Sequence, residues 1–234
     1  MTEKSRIGWT NSTVYFWIGC HKVSAVCRNC YAETLSKRWG GNFEVLHRTA
    51  DATFYSALKW KEGRRIFTCS LSDFFHKDAD EWRADAWEVI RKTPQHTWQI
   101  LTKRPERIQE CLPADWGNGY PNVWLGVSVE MPLYYTRIKE LIKIPAPVHF
   151  ISCEPLLSPL SNMPLEEVEW VIVGGESGPH FRKMEEDWVR DILTQCRAAG
   201  IPFFYKQPAG IRNELPAILD GVEIKEYPLM MVAL

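Results

Sequence analysis

The sequence predicts an α/β fold, a compact (β/α) TIM-type barrel built from a partial or full set of eight strands. Three observations predict it. Short apolar runs rich in β-branched and aromatic residues recur along the chain, amphipathic segments separate several of them, and most runs stop at polar or charged residues. Apolar strands that alternate with helices indicate a parallel sheet covered on both faces. A length of 234 residues is at the small end for a barrel. An open doubly wound sheet is the alternative.

Eight apolar runs bounded by turn signals are the predicted strands. They are Val14–Ile18, Phe43–Leu46, Arg65–Cys69, Thr97–Leu101, Val123–Val127, Val148–Ser152, Trp170–Val173 and Pro202–Tyr205. Asp80–Lys92 and Glu185–Ala199 each place apolar side chains on one helical face, and Gly200 ends the second helix. Because no linker, repeat or low-complexity segment divides the chain, residues 1–234 are predicted to form a single domain.

Composition limits the possible functions. The chain is 45% hydrophobic and 24% charged with a net charge of −1, so no global field draws it to nucleic acid or to a membrane. It opens with polar residues, and its apolar runs are too short to span a bilayer. Three of its seven cysteines lie within eleven residues, which does not resemble a disulfide framework. We therefore expect a reducing cytoplasmic location, where clustered cysteines favour metal or redox chemistry.

The cysteines lie in a loop, residues 19–31, that directly follows the first predicted strand. Cys20, Cys27 and Cys30 form a Cys-x6-Cys-x2-Cys pattern that runs into a helix starting near Tyr31, and a helix N-terminus favours thiolates. Three ligands leave one metal position open, which favours a 4Fe–4S cluster with an exchangeable iron. The alternatives are cysteines that bind nothing, or a structural zinc site with a fourth ligand. That ligand would come from His21, His47, Cys69 or Cys153.

Polar side chains follow most of the predicted strands. They are Ser72-Asp73, Thr102–Arg104, Ser128, Glu130, Cys153-Glu154, Gly174–Ser177 and Lys206-Gln207. The carboxyl ends of parallel strands face one crevice, so we expect these groups to line the mouth of the barrel. Lys103, Arg104 and Lys206 suit a carboxylate or a phosphate. Together with the carboxylates they suit a zwitterionic ligand, and an internal ring of salt bridges is the alternative.

Two further groups near the mouth have a functional and a structural interpretation. In Gly174-Gly175-Glu176 the glycines let a ligand approach the backbone and the carboxylate can pair with an ammonium group; a plain tight turn is the alternative. His76 suits an acid or a base, and the alternative is a hydrogen-bonding partner.

Much of the chain resembles an uncharacterised family of phage and bacterial three-cysteine proteins. The segments that carry the resemblance are Trp9–Asn11, Gly19–Ser24, Cys27–Glu33, Arg65–Phe67, Ser72–His76, Leu101–Arg107, Trp124–Glu130, Ser152–Leu156, Val171–Gly178 and Pro202–Gln207. That family is in turn similar to radical SAM enzymes, which are partial or full (β/α) barrels with a cluster loop after the first strand. The resemblance extends the expected location to the cytoplasm of a bacterial or phage-infected cell.

The resemblance to radical SAM enzymes implies a cofactor and a chemistry. S-adenosylmethionine would chelate the open iron, and one-electron reduction by a donor protein would yield a 5′-deoxyadenosyl radical that abstracts hydrogen from the substrate. Tyr31 would pack near the adenine. The assigned catalytic residues are Glu176, Glu154, Lys103 and His76. The assigned cofactor-binding residues are Tyr31, Ser128, Glu130, Gly174, Gly175, Glu176 and Lys206, with Cys20, Cys27 and Cys30 on the metal.

Three functions follow from these observations. The first is a radical SAM-like enzyme, a lyase or transferase that modifies or repairs a nucleobase or nucleic acid. The second is a non-catalytic iron–sulfur or zinc protein that binds nucleic acid. The third is a metal-free barrel enzyme with an acid–base pair among Glu130, Glu154 and His76. Nucleic acid is proposed as a partner mainly because of the phage resemblance, and because basic groups are interleaved with aromatic ones. Charged helix ends are the alternative explanation of these groups. These groups are Arg64-Arg65, Lys103, Arg104, Arg107 and Arg182-Lys183, with Trp60 and Trp98.

Overall fold

A computed structural model describes residues 3–212 and 215–229. The strands are β1 (Ser12–Val14), β2 (Trp17–Ile18), β3 (His47–Arg48), β4 (Arg65–Thr68), β5 (Thr97–Thr102), β6 (Val123–Ser128), β7 (Val148–Cys153), β8 (Trp170–Gly174), β9 (Phe203–Gln207), β10 (Ile218–Leu219) and β11 (Val222–Glu223). The helices are α1 (Tyr31–Arg38), α2 (Asp51–Phe54), α3 (Asp80–Arg91), α4 (Ile108–Cys111), α5 (Tyr135–Leu141) and α6 (Glu186–Ala199). Within these ranges no helix has both the length and the apolar character needed to cross a bilayer.

Seven of the strands form one parallel sheet in the order β1-β4-β5-β6-β7-β8-β9, so the large sheet follows the chain from one edge to the other. The sheet curls into a half-barrel, and β1 and β9 are its edge strands. The predicted α/β class and the parallel sheet are therefore confirmed. Helix α3 begins where the sequence predicts it, and α6 ends at Gly200, whose φ of 70° only glycine adopts readily.

Two of the predicted strands are wrong. The first strand ends at Val14 rather than continuing to Ile18, because the chain turns there and Trp17–Ile18 pairs antiparallel with His47–Arg48 in a separate ribbon. Phe43–Leu46 is not a strand. Its apolar character has another cause, since Phe43 is buried in a small cluster beneath the cysteine loop.

Side chains alternate between the two faces of the sheet, as the period of a β-strand requires. The outer face packs against α3, α5 and α6 and forms the main core. The inner face carries a second cluster that consists of Trp9, Phe67, Trp124, Val148, Phe150, Trp170, Ile172 and Phe204. On β6 and β7 the same alternation leads from Trp124 and Phe150 to Ser128 and Ser152. The inner face is thus apolar at the amino ends of its strands and polar at their carboxyl ends.

Near the amino ends of the strands, the gap between the edge strands β1 and β9 is bridged by the segment 224–227. No eighth parallel strand fills this gap among the described residues. Phe204 and Lys225 form an antiparallel bridge, and the backbone N–H of Tyr205 donates to the Ile224 carbonyl at 2.8 Å. The Tyr227 hydroxyl donates to the Gly8 carbonyl at 3.1 Å, just before β1. These residues lie at the amino ends of the strands, so the carboxyl ends remain open as a mouth.

Gly126 in β6 lets the inner aromatic cluster close. A Cβ atom at this position would lie 2.5 Å from ring atoms of Phe150, which is fully buried. Replacement of Gly126 with Ala therefore forces the ring from its packed position, and we expect the free energy of unfolding to fall by about 1–3 kcal/mol, as for other overpacked cores. Chemical denaturation measures the change.

The matched control is Gly8→Ala, because a Cβ there would meet the Phe204 ring at an ordinary 3.7 Å. It should change the stability by no more than about 0.5 kcal/mol. Equal losses in the two variants would show that the close contact at Gly126 is not what matters.

Candidate metal centre at the mouth of the sheet

The three cysteines of the loop lie where the chain passes over the carboxyl ends of the strands. Cys27 lies in a short 3-10 helix, and Cys30 is the N-cap of α1. All three are partly buried and carry free thiols. Gly19, with a φ of 110°, makes the turn that precedes Cys20; a Cβ there would lie 2.7 Å from the Val45 carbonyl oxygen. A glycine at this position therefore allows the turn that leads into the cysteine loop.

A buried ion pair anchors the first cysteine. Arg104, which follows β5, directs Nη1 to Cys20 Sγ at 3.6 Å and to Asp73 Oδ2 at 3.1 Å, and its Nη2 donates to the His21 carbonyl at 2.8 Å. Asp73 also accepts hydrogen bonds from the Thr102 hydroxyl at 2.7 Å and from the Lys103 backbone N–H at 3.0 Å. The guanidinium thus fixes the loop at Cys20 and is placed to offset negative charge on its sulfur.

Burial favours the protonated form of the Cys20 and Cys30 thiols. It raises the pKa of Cys20 to about 11, against the opposing effect of Arg104, and it also raises the pKa of Cys30. A metal must therefore displace protons as it binds, which is the usual coupling at thiolate sites. The ammonium of Lys103 lies near enough to Cys30 to lower the pKa of that thiol, against the effect of burial.

A second set of contacts holds the middle of the loop. Asn29 Nδ2 donates to Glu176 Oε2 at 3.0 Å and to the His180 carbonyl at 2.8 Å. Arg182 donates to the same carboxylate through its backbone N–H, Nε and Nη2, and its Nη2 also donates to the Val26 carbonyl. Burial acts to raise the pKa of Glu176, but the hydrogen bonds from Arg182 and Asn29 outweigh it and the pKa falls. We name Asn29, Glu176 and Arg182 the loop clamp.

The other two carboxylates at the mouth are also paired. Glu130, fully buried, lies 2.8 Å from Lys103 Nζ and 3.1 Å from Arg137 Nη1. Burial acts to lower the pKa of Lys103, but the Glu130 carboxylate raises it above its usual value. Glu154 lies 2.5 Å from Lys206 Nζ. Glu154 also accepts hydrogen bonds from Trp9 Nε1 and the Ser152 hydroxyl, each at 3.1 Å. The mouth thus contains a ring of salt bridges, the alternative left open by the sequence.

Packing accounts for both glycines of the Gly174-Gly175-Glu176 run. A Cβ at Gly174 would lie 3.1 Å from Glu154 Oε2, and one at Gly175 would lie 2.1 Å from the backbone nitrogen of Ala209. The Gly175 N–H also donates to the Gln207 carbonyl. Gly175 therefore lets the segment after β9 cross close to β8, and Gly174 leaves room for the Glu154 side chain.

His76 is buried and tied to a neighbouring histidine. Its Nδ1 accepts the Asp78 backbone N–H at 3.1 Å, so its proton lies on Nε2, which donates to His21 Nδ1 at 3.0 Å. Burial, with the nearby Arg104, lowers the pKa of His76 to about 4. Both ring nitrogens are engaged within the protein, which is the arrangement of a hydrogen-bonding partner.

The distances between ligand atoms distinguish a site for one zinc ion from a site for a 4Fe–4S cluster. In the described part of the chain, His21, His76 and Asp78 bring three ligand atoms within 4.8 Å of one another, whereas the three cysteine sulfurs are not in such a group. Sulfurs around one tetrahedral zinc ion lie about 3.8 Å apart, given Zn–S bonds of about 2.3 Å. In a 4Fe–4S cluster each thiolate binds a different iron, so the sulfurs lie farther apart. The three cysteine sulfurs are therefore not grouped as the ligands of a single zinc ion would be.

Within the described residues, none of the proposed fourth ligands of a zinc site is grouped with the three cysteine sulfurs. Cys69 and Cys153 are buried in the main core on the outer side of the sheet. His47 is in the β2–β3 ribbon and is exposed, and His21 Nδ1 is hydrogen-bonded to His76.

The remaining predicted residues lie around the same opening. Tyr31 begins α1 with its ring about half exposed, and its hydroxyl donates to the Ser70 carbonyl. Ser128 ends β6, buried opposite Ser152, and its carbonyl accepts from Arg137. The sequence analysis did not identify Asn29, Arg137 and Arg182 as residues that contact the carboxylates at the mouth. Asn29 carried a signal, since it lies between two of the cysteines.

Comparison with known proteins identifies a family but no activity. The family model described as "Protein of unknown function (DUF5131)" matches residues 4–226. The search of curated proteins and the search of solved structures each gave no match.

Replacement of Asp73 with Asn tests the buried ion pair. It leaves the Arg104 guanidinium buried without a counter-charge, so we expect a loss of about 3–5 kcal/mol in the free energy of unfolding. Asp51→Asn breaks the exposed Arg48–Asp51 pair and should cost no more than about 1 kcal/mol. Chemical denaturation compares the two, and similar losses would contradict the anchoring role of Asp73.

Replacement of Glu176 with Gln tests the loop clamp. The neutral amide loses the charge-assisted hydrogen bonds from Arg182, so the loop opens more often and the thiols of Cys27 and Cys30 become more accessible. We expect the alkylation rate of the metal-free protein to rise about tenfold, the equivalent of about 1.4 kcal/mol. Mass spectrometry after digestion assigns the rate to each cysteine.

The control is Glu185→Gln, which removes the exposed Lys183–Glu185 pair on the same side of the sheet. Its alkylation rates should match those of the unmodified sequence. Unchanged rates in Glu176→Gln would mean that the clamp does not hold the loop.

Proposed function

The chain belongs to the DUF5131 family of proteins of unknown function, and we propose that it is a 4Fe–4S protein with radical SAM-like activity. In this proposal Cys20, Cys27 and Cys30 bind three irons, and the fourth iron remains open to a ligand. The observation that carries the proposal is the cysteine loop itself. Three free thiols lie in one loop over the carboxyl ends of a parallel sheet, and the loop is anchored at two points by buried charges.

The donor set fits an iron–sulfur cluster better than a single metal ion. The three sulfurs are not grouped as closely as ligands of one zinc ion would be, and two of the candidate fourth ligands are in the main core. A guanidinium N–H directed at Cys20 Sγ is the kind of hydrogen bond that stabilises a cluster thiolate and tunes its potential.

The ring of salt bridges suits S-adenosylmethionine, whose methionyl end carries an ammonium and a carboxylate group. Lys206 and Glu154 form an internal ion pair. When the ligand binds, the Lys206 ammonium can pair with its carboxylate and the Glu154 carboxylate with its ammonium group. A cluster held by Cys20, Cys27 and Cys30 would pass one electron from a donor protein to S-adenosylmethionine, whose cleavage would give methionine and a 5′-deoxyadenosyl radical. The residues of the chain orient the ligand, and the inner aromatic cluster below excludes water.

The proposal also includes a type of fold, a partner and a cellular location. They are a radical SAM-type partial barrel, an electron-donor protein as partner, and the reducing cytoplasm of a bacterial or phage-infected cell, which an exposed cluster requires. A lyase or transferase acting on a nucleobase is the reaction class that we propose. Ser128, Glu130 and Lys103 border the space where the substrate would meet the radical.

Purification without oxygen tests the proposal. We expect about four irons and four sulfides per chain and a visible absorption band. We also expect an electron paramagnetic resonance signal of the reduced protein that changes when S-adenosylmethionine is added, and 5′-deoxyadenosine after reduction. Replacement of Cys20, Cys27 and Cys30 with Ser should remove the iron.

The control variant is Cys111→Ser, which changes a buried cysteine in α4, away from the loop, and should retain the iron. Bound zinc in place of iron would support the structural zinc site instead. A cluster whose resonance signal ignores S-adenosylmethionine, with no 5′-deoxyadenosine formed, would support a non-catalytic iron–sulfur protein.

A further inference from the structure

Helix α1 has one face that the rest of the protein does not cover. Ala32 and Ser36 are buried beneath it, whereas Tyr31, Thr34 and Arg38 are exposed. These three residues are spaced i, i+3 and i+7, so they share the outer face of the helix. Tyr31 and Arg38 lie about 10 Å apart along the axis, at 1.5 Å per residue. The exposed stripe starts beside Cys30, the N-cap, and leads away from the mouth.

A second aromatic ring ends the stripe. Trp39 follows the helix directly, and its side chain is 67% exposed, while Tyr31 is 48% exposed. Large aromatic side chains are normally buried, so two exposed rings about 12 Å apart on one surface are unusual. We name the surface formed by Arg28, Tyr31, Thr34, Arg38 and Trp39 the α1 face.

The α1 face is cationic in a chain whose net charge is −1. Glu33, the one carboxylate of residues 21–39, is held by Lys22 Nζ at 3.0 Å and by Lys37 Nζ at 2.7 Å. Arg28 and Arg38 are both exposed, and within residues 3–212 and 215–229 neither has a carboxylate at ion-pairing distance. Two guanidinium groups without a counter-charge therefore accompany the two rings.

The basic and aromatic residues that the sequence offered for nucleic acid are engaged elsewhere. Trp98 is fully buried and Trp60 is stacked with Arg64. The cationic groups of that set that form ion pairs with carboxylates are Arg64, Lys103, Arg104, Arg107, Arg182 and Lys183. Most of the cations in this set are therefore already paired within the protein.

We propose that the α1 face binds single-stranded nucleic acid and directs it to the mouth of the sheet. Tyr31 and Trp39 stack on bases, and Arg28 and Arg38 contact phosphates on either side of them. The inference that this nucleic acid is the substrate rests on the proposed function. The binding itself requires no cluster.

Two features favour a nucleic acid over an acidic protein as the occupant. Guanidinium groups and rings alternate along the chain from Arg28 to Trp39, which matches the repeat of base and phosphate along a strand. In addition, the stripe is one helix wide and leads to the mouth, so a thin chain can follow it to the cysteines. A protein surface large enough for stable binding needs about 800 Å² on each partner, far more than one short helix presents.

Fluorescence anisotropy with a short labelled single strand of mixed sequence tests the inference. The full-length chain is used both as purified without oxygen and after removal of metal. Trp39→Ala should weaken binding about tenfold, which lies within the range for loss of one stacked base. The double variant Arg28→Glu, Arg38→Glu should weaken it at least tenfold. The double variant should also lower the slope of log affinity against log salt by about 1.4, because each phosphate contact on a single strand contributes about 0.7.

The control is Lys61→Glu, an exposed cation just before β4, at the opposite end of the sheet. It should change the affinity less than twofold. Equal losses in Lys61→Glu and the double variant would overturn the inference, as would no binding at about 50 mM salt or equal affinity for a duplex. We expect the affinity for the nucleic acid to be the same with and without metal. The test for an iron–sulfur cluster can therefore fail while the binding inference still holds.

Discussion

The buried ion pair between Asp73 and Arg104 is the interaction on which the mouth depends. Asp73 joins the end of β4 to the end of β5, because its carboxylate accepts bonds from Thr102 and from the backbone of Lys103. Its carbonyl also accepts the Trp17 indole N–H, which ties in the β2–β3 ribbon. Arg104 then carries this fixed geometry to the cysteine loop. One carboxylate and one guanidinium thus hold three separate stretches of the chain in position relative to one another. Both side chains are buried, so water does not replace either partner of the pair.

The remainder of the mouth follows from the period of the strands. Inner-face positions are large and aromatic at the amino ends, so the lower half of the half-barrel is filled. Toward the carboxyl ends of β6 and β7 the same face turns polar. Just past those ends, Glu130 and Glu154 each meet a cation. Charges at such depth are stable only in pairs. The ring of salt bridges is therefore both the structural solution for the metal-free protein and a set of groups suited to a zwitterion.

Much of the fold was predictable because apolar β-branched runs and helix-ending glycines act locally. Six of the strands and the helices α3 and α6 lie where these signals place them. Phe43–Leu46 was mistaken for a strand because burial under a loop produces the same apolar pattern as burial in a sheet. The sequence also indicated that Glu154, Glu176 and Lys206 lie near the cysteines. It did not reveal their partners, since Arg182 and Asn29 meet Glu176 only through the tertiary fold.

The bridge made by residues 224–227 has a consequence for how the protein folds. The bond from Tyr227 to Gly8 joins positions 219 residues apart. Closing so long a loop carries a high entropic cost, and contacts of this separation slow folding. We therefore expect the neighbouring parallel strands, which are linked by much shorter connections, to assemble before the contacts between the two edges form. On this expectation, the inner aromatic cluster beneath the mouth is the last part of the molecule to be closed off from solvent.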